Sequence, residues 1–121
     1  MLRRVSVALS LSLSACTSAL EPSGAGTWVA DLIVRQQVIS MRLAIDGSDI
    51  TGSGSLADLT ATLGDPLNLT GVRYADTLDI TFRRSVADPF RFVGWYTFRG
   101  TIDGTLDGAE FNREAVSFRD R

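Results

Sequence analysis

The sequence predicts an all-β fold, in which eight short antiparallel strands form an up-and-down meander that closes into a small barrel. The first observation is a period of two in the apolar residues from Gly26 onward, which is typical of half-buried strands. The second is a set of turn residues between the alternating segments, as in Asp46-Gly47-Ser48-Asp49. The third is that short connections join successive segments. Closure removes exposed edge strands that promote aggregation; an open two-sheet sandwich is the alternative.

Each predicted strand has one apolar face. In the first strand Trp28, Ala30 and Leu32 alternate with Val29 and Asp31. Glycines take several positions on the later apolar faces, where they permit the sharp coiling of a small barrel. The later apolar faces contain, in chain order, Met41 and Leu43, Ile50 and Leu56, Leu67 and Leu69, Ile80 and Phe82, Phe90 and Phe92, Ile102 and Leu106, and Val116 and Phe118. The predicted strands cover residues 26–34, 37–46, 49–57, 66–72, 76–84, 89–97, 100–107 and 113–120.

The apolar faces are expected to point into the barrel. A membrane-spanning barrel would instead turn them outward and keep polar groups inside. Most of the predicted strands are short for that purpose. The chain also ends in Arg121 rather than in the terminal aromatic residue typical of outer-membrane barrels.

The first fifteen residues have the order of a secretory signal. Arg3-Arg4 forms a positive start, and an apolar run over residues 5–13 follows. This run is too short for a membrane-spanning helix, which needs about 20 residues. The next segment is small and polar and contains a proline, as in a flexible tether. We therefore predict a signal peptide over residues 1–15, a tether over 16–25 and a β-barrel domain over 26–121.

The residues Leu13-Ser14-Ala15-Cys16 resemble the lipobox of bacterial lipoproteins, in which a branched apolar residue and two small residues precede a cysteine. The resemblance implies cleavage before Cys16 and lipidation of that residue. The mature chain would then be anchored in the bacterial cell envelope, because several acyl chains give stable attachment. Thr17, in place of an aspartate, implies the outer membrane facing the periplasm if the host is Gram-negative. An ordinary signal peptide with an incidental cysteine is the alternative.

Composition limits the functions that the chain can have. Removal of Arg3 and Arg4 leaves ten of the twelve basic residues against fourteen acidic ones, which argues against a nucleic-acid partner. The sequence contains no histidine, the commonest general base and metal ligand, and its single cysteine allows no internal disulfide. We therefore expect no enzyme activity, no cofactor and no metal. Residues 103–108 only faintly resemble a calcium loop, because they lack the spacing and closing glutamate of an EF-hand.

The first predicted strand opens with Gly26-Thr27-Trp28, which resembles the Gly-x-Trp signature of the calycins, the group of lipocalins, fatty-acid-binding proteins and avidins. The resemblance implies a lipocalin-like barrel whose floor is closed by Trp28. It also implies that Arg119, or Arg121, packs across the indole from the last strand. The polar residues that hold biotin in avidins have no match here, so biotin binding is not implied. A tryptophan that simply fills the core is the alternative.

An up-and-down meander places alternate connections at the same end of the barrel. The tether enters at the floor beside Trp28, together with the connections near residues 46–49, 72–76 and 97–100. The connections near residues 34–37, 57–65, 84–88 and 108–113 lie at the other end, where 57–65 is a candidate lid. Any mouth of the barrel is therefore expected to open away from the membrane.

Two functions remain open for the barrel. A small apolar ligand would bind inside it, against a lining that includes Met41, Leu43, Leu69, Ile80, Phe82 and Phe92. The alternative is a filled core, because an eight-stranded barrel is just wide enough for its own side chains to fill. The chain would then be a protein-interaction or structural module of the envelope. Trp95, Tyr96 and Arg99 form the candidate contact patch, since tryptophan, tyrosine and arginine are favoured anchors at protein interfaces.

Overall fold

The computed structural model describes residues 25–59, 64–85 and 87–121, and its regular secondary structure consists of β-strands. Eight strands follow one another along the described chain. They are β1 (Gly26–Leu32), β2 (Gln37–Asp46), β3 (Asp49–Asp58), β4 (Asp65–Tyr74), β5 (Thr77–Arg83), β6 (Phe90–Tyr96), β7 (Thr101–Gly108) and β8 (Phe111–Asp120).

The strands form a closed antiparallel barrel in which each strand pairs with the next. The last strand returns to the first, so that Trp28 lies opposite Asp120 and Val29 opposite Arg119. The backbone N–H of Arg121 extends this seam by donating to the carbonyl of Thr27 at 3.1 Å. The predicted all-β, eight-stranded up-and-down barrel is therefore confirmed, and the open sandwich is wrong.

The strand boundaries agree with prediction to within one residue except at β1, β4 and β8, and β4 continues to Tyr74, two residues beyond its predicted end. β1 ends at Leu32, because Ile33 and Val34 belong to a turn in which the Gln36 N–H donates to the Ile33 carbonyl at 3.1 Å. Gln36 has a positive φ of 55°, which extended strand geometry does not allow. The predicted continuation of this strand to residue 34 is therefore wrong.

The start of β8 also differs from prediction. A register shift between Leu106 and Gly108 lets Gly108 pair with Phe111, so β8 begins two residues before the predicted start at 113. The extra residue of such a bulge shifts the phase of the alternation, so Phe111 and Val116 both point inward although strict alternation would place them on opposite faces. Alternation counted back from Val116 and Phe118 therefore could not predict where β8 begins.

The apolar faces point into the barrel, as predicted. The core draws side chains from all eight strands, and none of the buried residues in the described ranges is polar. Glycines at inward positions let neighbouring strands approach each other closely, because they carry no side chain. Gly94 and Gly104 face each other across β6 and β7, and a Cβ atom on Gly104 would lie 2.5 Å from the Gly94 Cα. Glycine is required there because the opposing backbone occupies the place of a side chain.

The barrel has two ends with different connections. At one end, here called the floor, β1 begins, β8 ends, and the hairpins β2–β3, β4–β5 and β6–β7 turn. The other end, here called the mouth end, contains the connections β1–β2, β3–β4, β5–β6 and β7–β8. This division confirms the predicted placement of the connections. The candidate lid at 57–65 lies partly outside the described residues, which lack 60–63.

Candidate functional site

The residues predicted to line a ligand cavity are packed into the core. Their exposed fractions lie between 0% and 3%. They are Met41, Leu43, Leu69, Ile80, Phe82 and Phe92. Side chains that lined an empty cavity wide enough for a ligand would keep surface accessible toward it. The near-complete burial of these residues therefore favours an interior filled by side chains, at the density typical of protein cores.

Aromatic rings occupy much of the interior. Phe82 and Phe90 stack with their ring centroids 4.8 Å apart, and Phe111 continues this cluster at 4.8 Å from Phe90. Phe92 meets Phe118 edge to face at 5.2 Å. These separations lie within the range in which aromatic pairs attract each other directly. The rings therefore contact one another across the volume that a bound apolar molecule would need.

Arg84 covers the core at the mouth end. Its Nη2 donates to Glu110 Oε1 at 2.7 Å and its Nη1 to Glu110 Oε2 at 3.1 Å. Its Nε and Nη2 also donate to the Asp88 carbonyl, and its Cζ lies 5.1 Å from the Phe90 ring centroid. The side chain is only 6% exposed. The hydrogen bonds from Arg84 hold the pKa of Glu110 below its ordinary value, against the opposing effect of burial.

Arg35 covers the neighbouring part of the same end. Its Nε donates to Glu114 Oε2 at 2.8 Å, and its Nη2 donates to the carbonyl of Glu110. Its Cζ lies 4.8 Å from the centroid of the Phe111 ring. Arg35 and Arg84 thus place two guanidinium groups over the aromatic core where a mouth was expected. Neither arginine was predicted as a functional residue, although both arginines and their carboxylate partners lie in or beside connections that the meander places at one end.

Trp28 lies at the floor end of the core. Its indole is 3% exposed and meets the Tyr96 ring edge to face, with centroids 5.7 Å apart. Tyr96 was predicted as part of the outer contact patch together with Trp95. The structure turns Tyr96 inward instead, because it continues the inward alternation of Phe90 and Phe92. Tyr96 therefore supports the floor rather than the outer surface.

Arg119 lies on the outer face of the barrel. Its Nη1 donates to Asp31 Oδ2 at 3.1 Å, and both side chains are about half exposed. This position follows from alternation, because Phe118 before it points into the core. The guanidinium thus pairs with a carboxylate of β1, and its contact with Trp28 stays a prediction.

Exposed large apolar side chains lie at both ends of the barrel in the described residues: Ile33, Val34 and Leu59 at the mouth end, and a second group on one side of the floor. Trp95 is 50% exposed and lies in a cross-strand row in which Tyr74 pairs with Thr77 and Thr77 with Trp95. Phe98, at the tip of the β6–β7 hairpin, is 101% exposed. We call this surface the floor patch and define it as Val72, Tyr74, Trp95, Phe98 and Arg99.

Hydrogen bonds beside Trp95 fix the hairpin that carries Phe98. Asp103 Oδ1 accepts from Ser117 Oγ at 2.6 Å and from Thr101 Oγ1 at 2.9 Å. Thr101 Oγ1 lies 2.9 Å from Thr97 Oγ1, and the Thr97 N–H donates to the Thr101 carbonyl at 2.8 Å. The hydrogen bond from Ser117, followed by that from Thr101, lowers the pKa of Asp103. The carboxylate therefore stays charged and holds the hydroxyl groups in place.

The carboxylates with shifted pKa values are all held in the ionised form. Arg91 lowers the pKa of Asp79 through two hydrogen bonds, of which the Nε bond to Oδ1 is 2.7 Å long. Asp103 and Glu110 shift in the same direction. A general acid or base for neutral pH needs a pKa moved toward 7 instead. Among residues 25–59, 64–85 and 87–121, no group of three metal-ligating side chains comes together.

A scan against protein-family models finds no match to the chain, and neither do searches of curated proteins and of solved structures. In the described part of the chain, no helix has the length and apolar character needed to cross a membrane. Cys16, the predicted lipidation site, lies outside the described residues, which begin at Ala25.

Proposed function

We propose that the chain is a lipid-anchored protein of the bacterial cell envelope, whose barrel acts through its outer surface as an interaction or structural module and is not an enzyme. The barrel would be a small calycin-like body with a filled core. The signal, the lipobox and the Gly26-Thr27-Trp28 opening support this assignment. The shifted carboxylates, all more acidic than usual, support a role outside acid–base catalysis.

The observation that carries the proposal is the packing of the interior. The predicted lining residues are buried against their neighbours, and Arg35 and Arg84 lie over the aromatic core at the mouth end. A ligand that entered there would have to move the Arg84 side chain, which is 6% exposed, away from Glu110, the Asp88 carbonyl and the Phe90 ring. The loss of these contacts, together with the packed interior, favours contact on the outside over an apolar ligand inside.

Replacement of Cys16 by alanine is expected to abolish lipid attachment. The full chain is expressed in a bacterial host with lipoprotein processing and grown with an alkyne-labelled fatty acid. We expect label on the wild-type chain and its recovery with membranes after a high-salt wash. The Cys16→Ala chain should lack label, because the acylated thiol is gone, and Ser18→Ala is the matched control that keeps it. An unlabelled wild-type chain would contradict the anchor.

A further inference from the structure

We propose that the floor patch rests on the surface of the membrane that anchors the chain, with Phe98 entering the headgroup region of the bilayer. The inference rests on the proposed anchor at Cys16 and names the partner of the exposed outer surface. The proposed partner is a lipid surface, and the experiment below distinguishes it from a protein partner.

The position of the chain start brings the floor close to the bilayer. The described chain begins at Ala25, directly before the floor end of β1. Cys16 precedes Ala25 by nine residues, and such a segment spans at most about 30 Å when fully extended. The β6–β7 hairpin turns at the same end, so Phe98 lies at the end of the barrel nearest to the anchor and within reach of the lipid headgroups.

The side chains of the floor patch have the chemistry of a membrane interface. Tryptophan and tyrosine are enriched where membrane meets water, because their rings are apolar and carry one polar group. Tyr74 and Trp95 present such rings, each about half exposed. Arg99 follows the fully exposed ring of Phe98. A long arginine side chain can lie along apolar surface while its guanidinium stays among the headgroups.

The hairpin presents Phe98 in a fixed conformation. The Gly100 N–H donates to the Thr97 carbonyl at 3.1 Å, and Gly100 takes a φ of 87°, which favours glycine. The hydroxyl contact between Thr97 and Thr101 supports the same turn. Since the turn is already formed, contact with a bilayer requires little further ordering of the chain.

The charges on the patch side of the floor are mixed. Arg73 and Arg99 lie on β4 and in the β6–β7 hairpin, and the carboxylates of Asp76 and Asp103 lie beside Arg99. The exposed aromatic rings, rather than the net charge, therefore favour the β4–β7 side as the one that meets the lipid.

The mouth end supplies a matched control. Val34 is also highly exposed, but it lies in the β1–β2 turn at the end opposite the tether. A barrel held from its floor keeps this turn away from the bilayer. Replacement of Val34 by serine removes a comparable exposed apolar group without a change at the floor.

The test attaches the mature chain, residues 16–121, to vesicles through its only cysteine. Because the barrel closes within Gly26–Asp120, this chain contains the whole fold. Cys16 is coupled to a maleimide phospholipid in phosphatidylcholine vesicles that contain brominated phosphatidylcholine. Bromine quenches tryptophan fluorescence at short range, and Trp95 is the more exposed of the two tryptophans. Chemical coupling makes the result independent of natural lipidation.

We expect brominated lipid to quench the tryptophan fluorescence of the tethered chain. In Trp95→Phe, only a small fraction of this quenching should remain. Phe98→Ser should lose most of the quenching, while Val34→Ser keeps it. Quenching that is absent, or unchanged by Phe98→Ser, would overturn the proposal and leave the patch to a protein partner. Lipidation at Cys16 would stand in that case, because the labelling experiment tests it separately.

Discussion

Replacement of Phe92 by alanine is expected to lower the free energy of unfolding by about 3–5 kcal/mol, the range for deletion of a large side chain from a packed core. Phe92 is fully buried and meets Phe118 edge to face with ring centroids 5.2 Å apart. Its ring also fills the space in which a side chain at Gly94 would lie. Neighbouring strands hold these groups in place, so the interior cannot easily collapse into the space that the ring leaves.

The measurement is urea unfolding of the mature chain, followed by far-ultraviolet circular dichroism. Phe98→Ala is the matched control, since it removes the same ring from a fully exposed site. Substitutions at exposed sites of this kind change the free energy of unfolding by no more than about 0.5 kcal/mol. A loss below about 1 kcal/mol for Phe92→Ala would contradict a tightly filled interior, because a ring that bordered an open cavity would have few contacts to lose.

Replacement of Gly104 by valine is expected to destabilise the barrel by about 3 kcal/mol or more, at the upper end of the range for overpacking. A side chain at this position would meet the backbone of the neighbouring strand, including the Val93 carbonyl and the Gly94 Cα. Backbone atoms of a paired strand cannot move aside without separating β6 from β7, which pair through Gly94 and Gly104. Closure of the barrel therefore depends on this glycine.

The control for Gly104→Val is Thr105→Val on the same strand. Thr105 is exposed on the outer face, and valine matches its shape and its preference for strands. We expect this variant to unfold close to the wild-type midpoint in urea. If Gly104→Val folded with wild-type stability, the close approach of β6 and β7 at the two glycines would be contradicted.

Alternation predicted most of the fold because a strand offers two faces and the barrel has one interior. Leu69, Ile80 and Phe82 were assigned to the interior on this basis, and the structure buries all three. The same rule also predicts an inward Tyr96, because it continues the positions of Phe90 and Phe92. Tyr96 was assigned to the outer patch because of its residue type rather than its position in the strand. Its ring packs on Trp28 instead.

The placement of the two arginines over the core at the mouth end could not be predicted from alternation. Arg84 lies just after β5, where the period of two no longer tells which way a side chain points. A long guanidinium side chain can turn back over the barrel when a carboxylate and an aromatic ring lie within reach. Glu110 and Phe90 provide these groups, but they lie in other connections and strands. Whether a barrel is hollow or filled depends on such three-dimensional arrangements.

The most direct test of a filled barrel is native mass spectrometry of the soluble body, residues 17–121, after gentle purification and incubation with a panel of fatty acids and hydrophobic dyes. The packed core and the arginines at the mouth end predict the bare mass of the polypeptide, with no uptake from the panel. Extra mass that organic extraction removes would contradict this account and show that the barrel holds an apolar ligand.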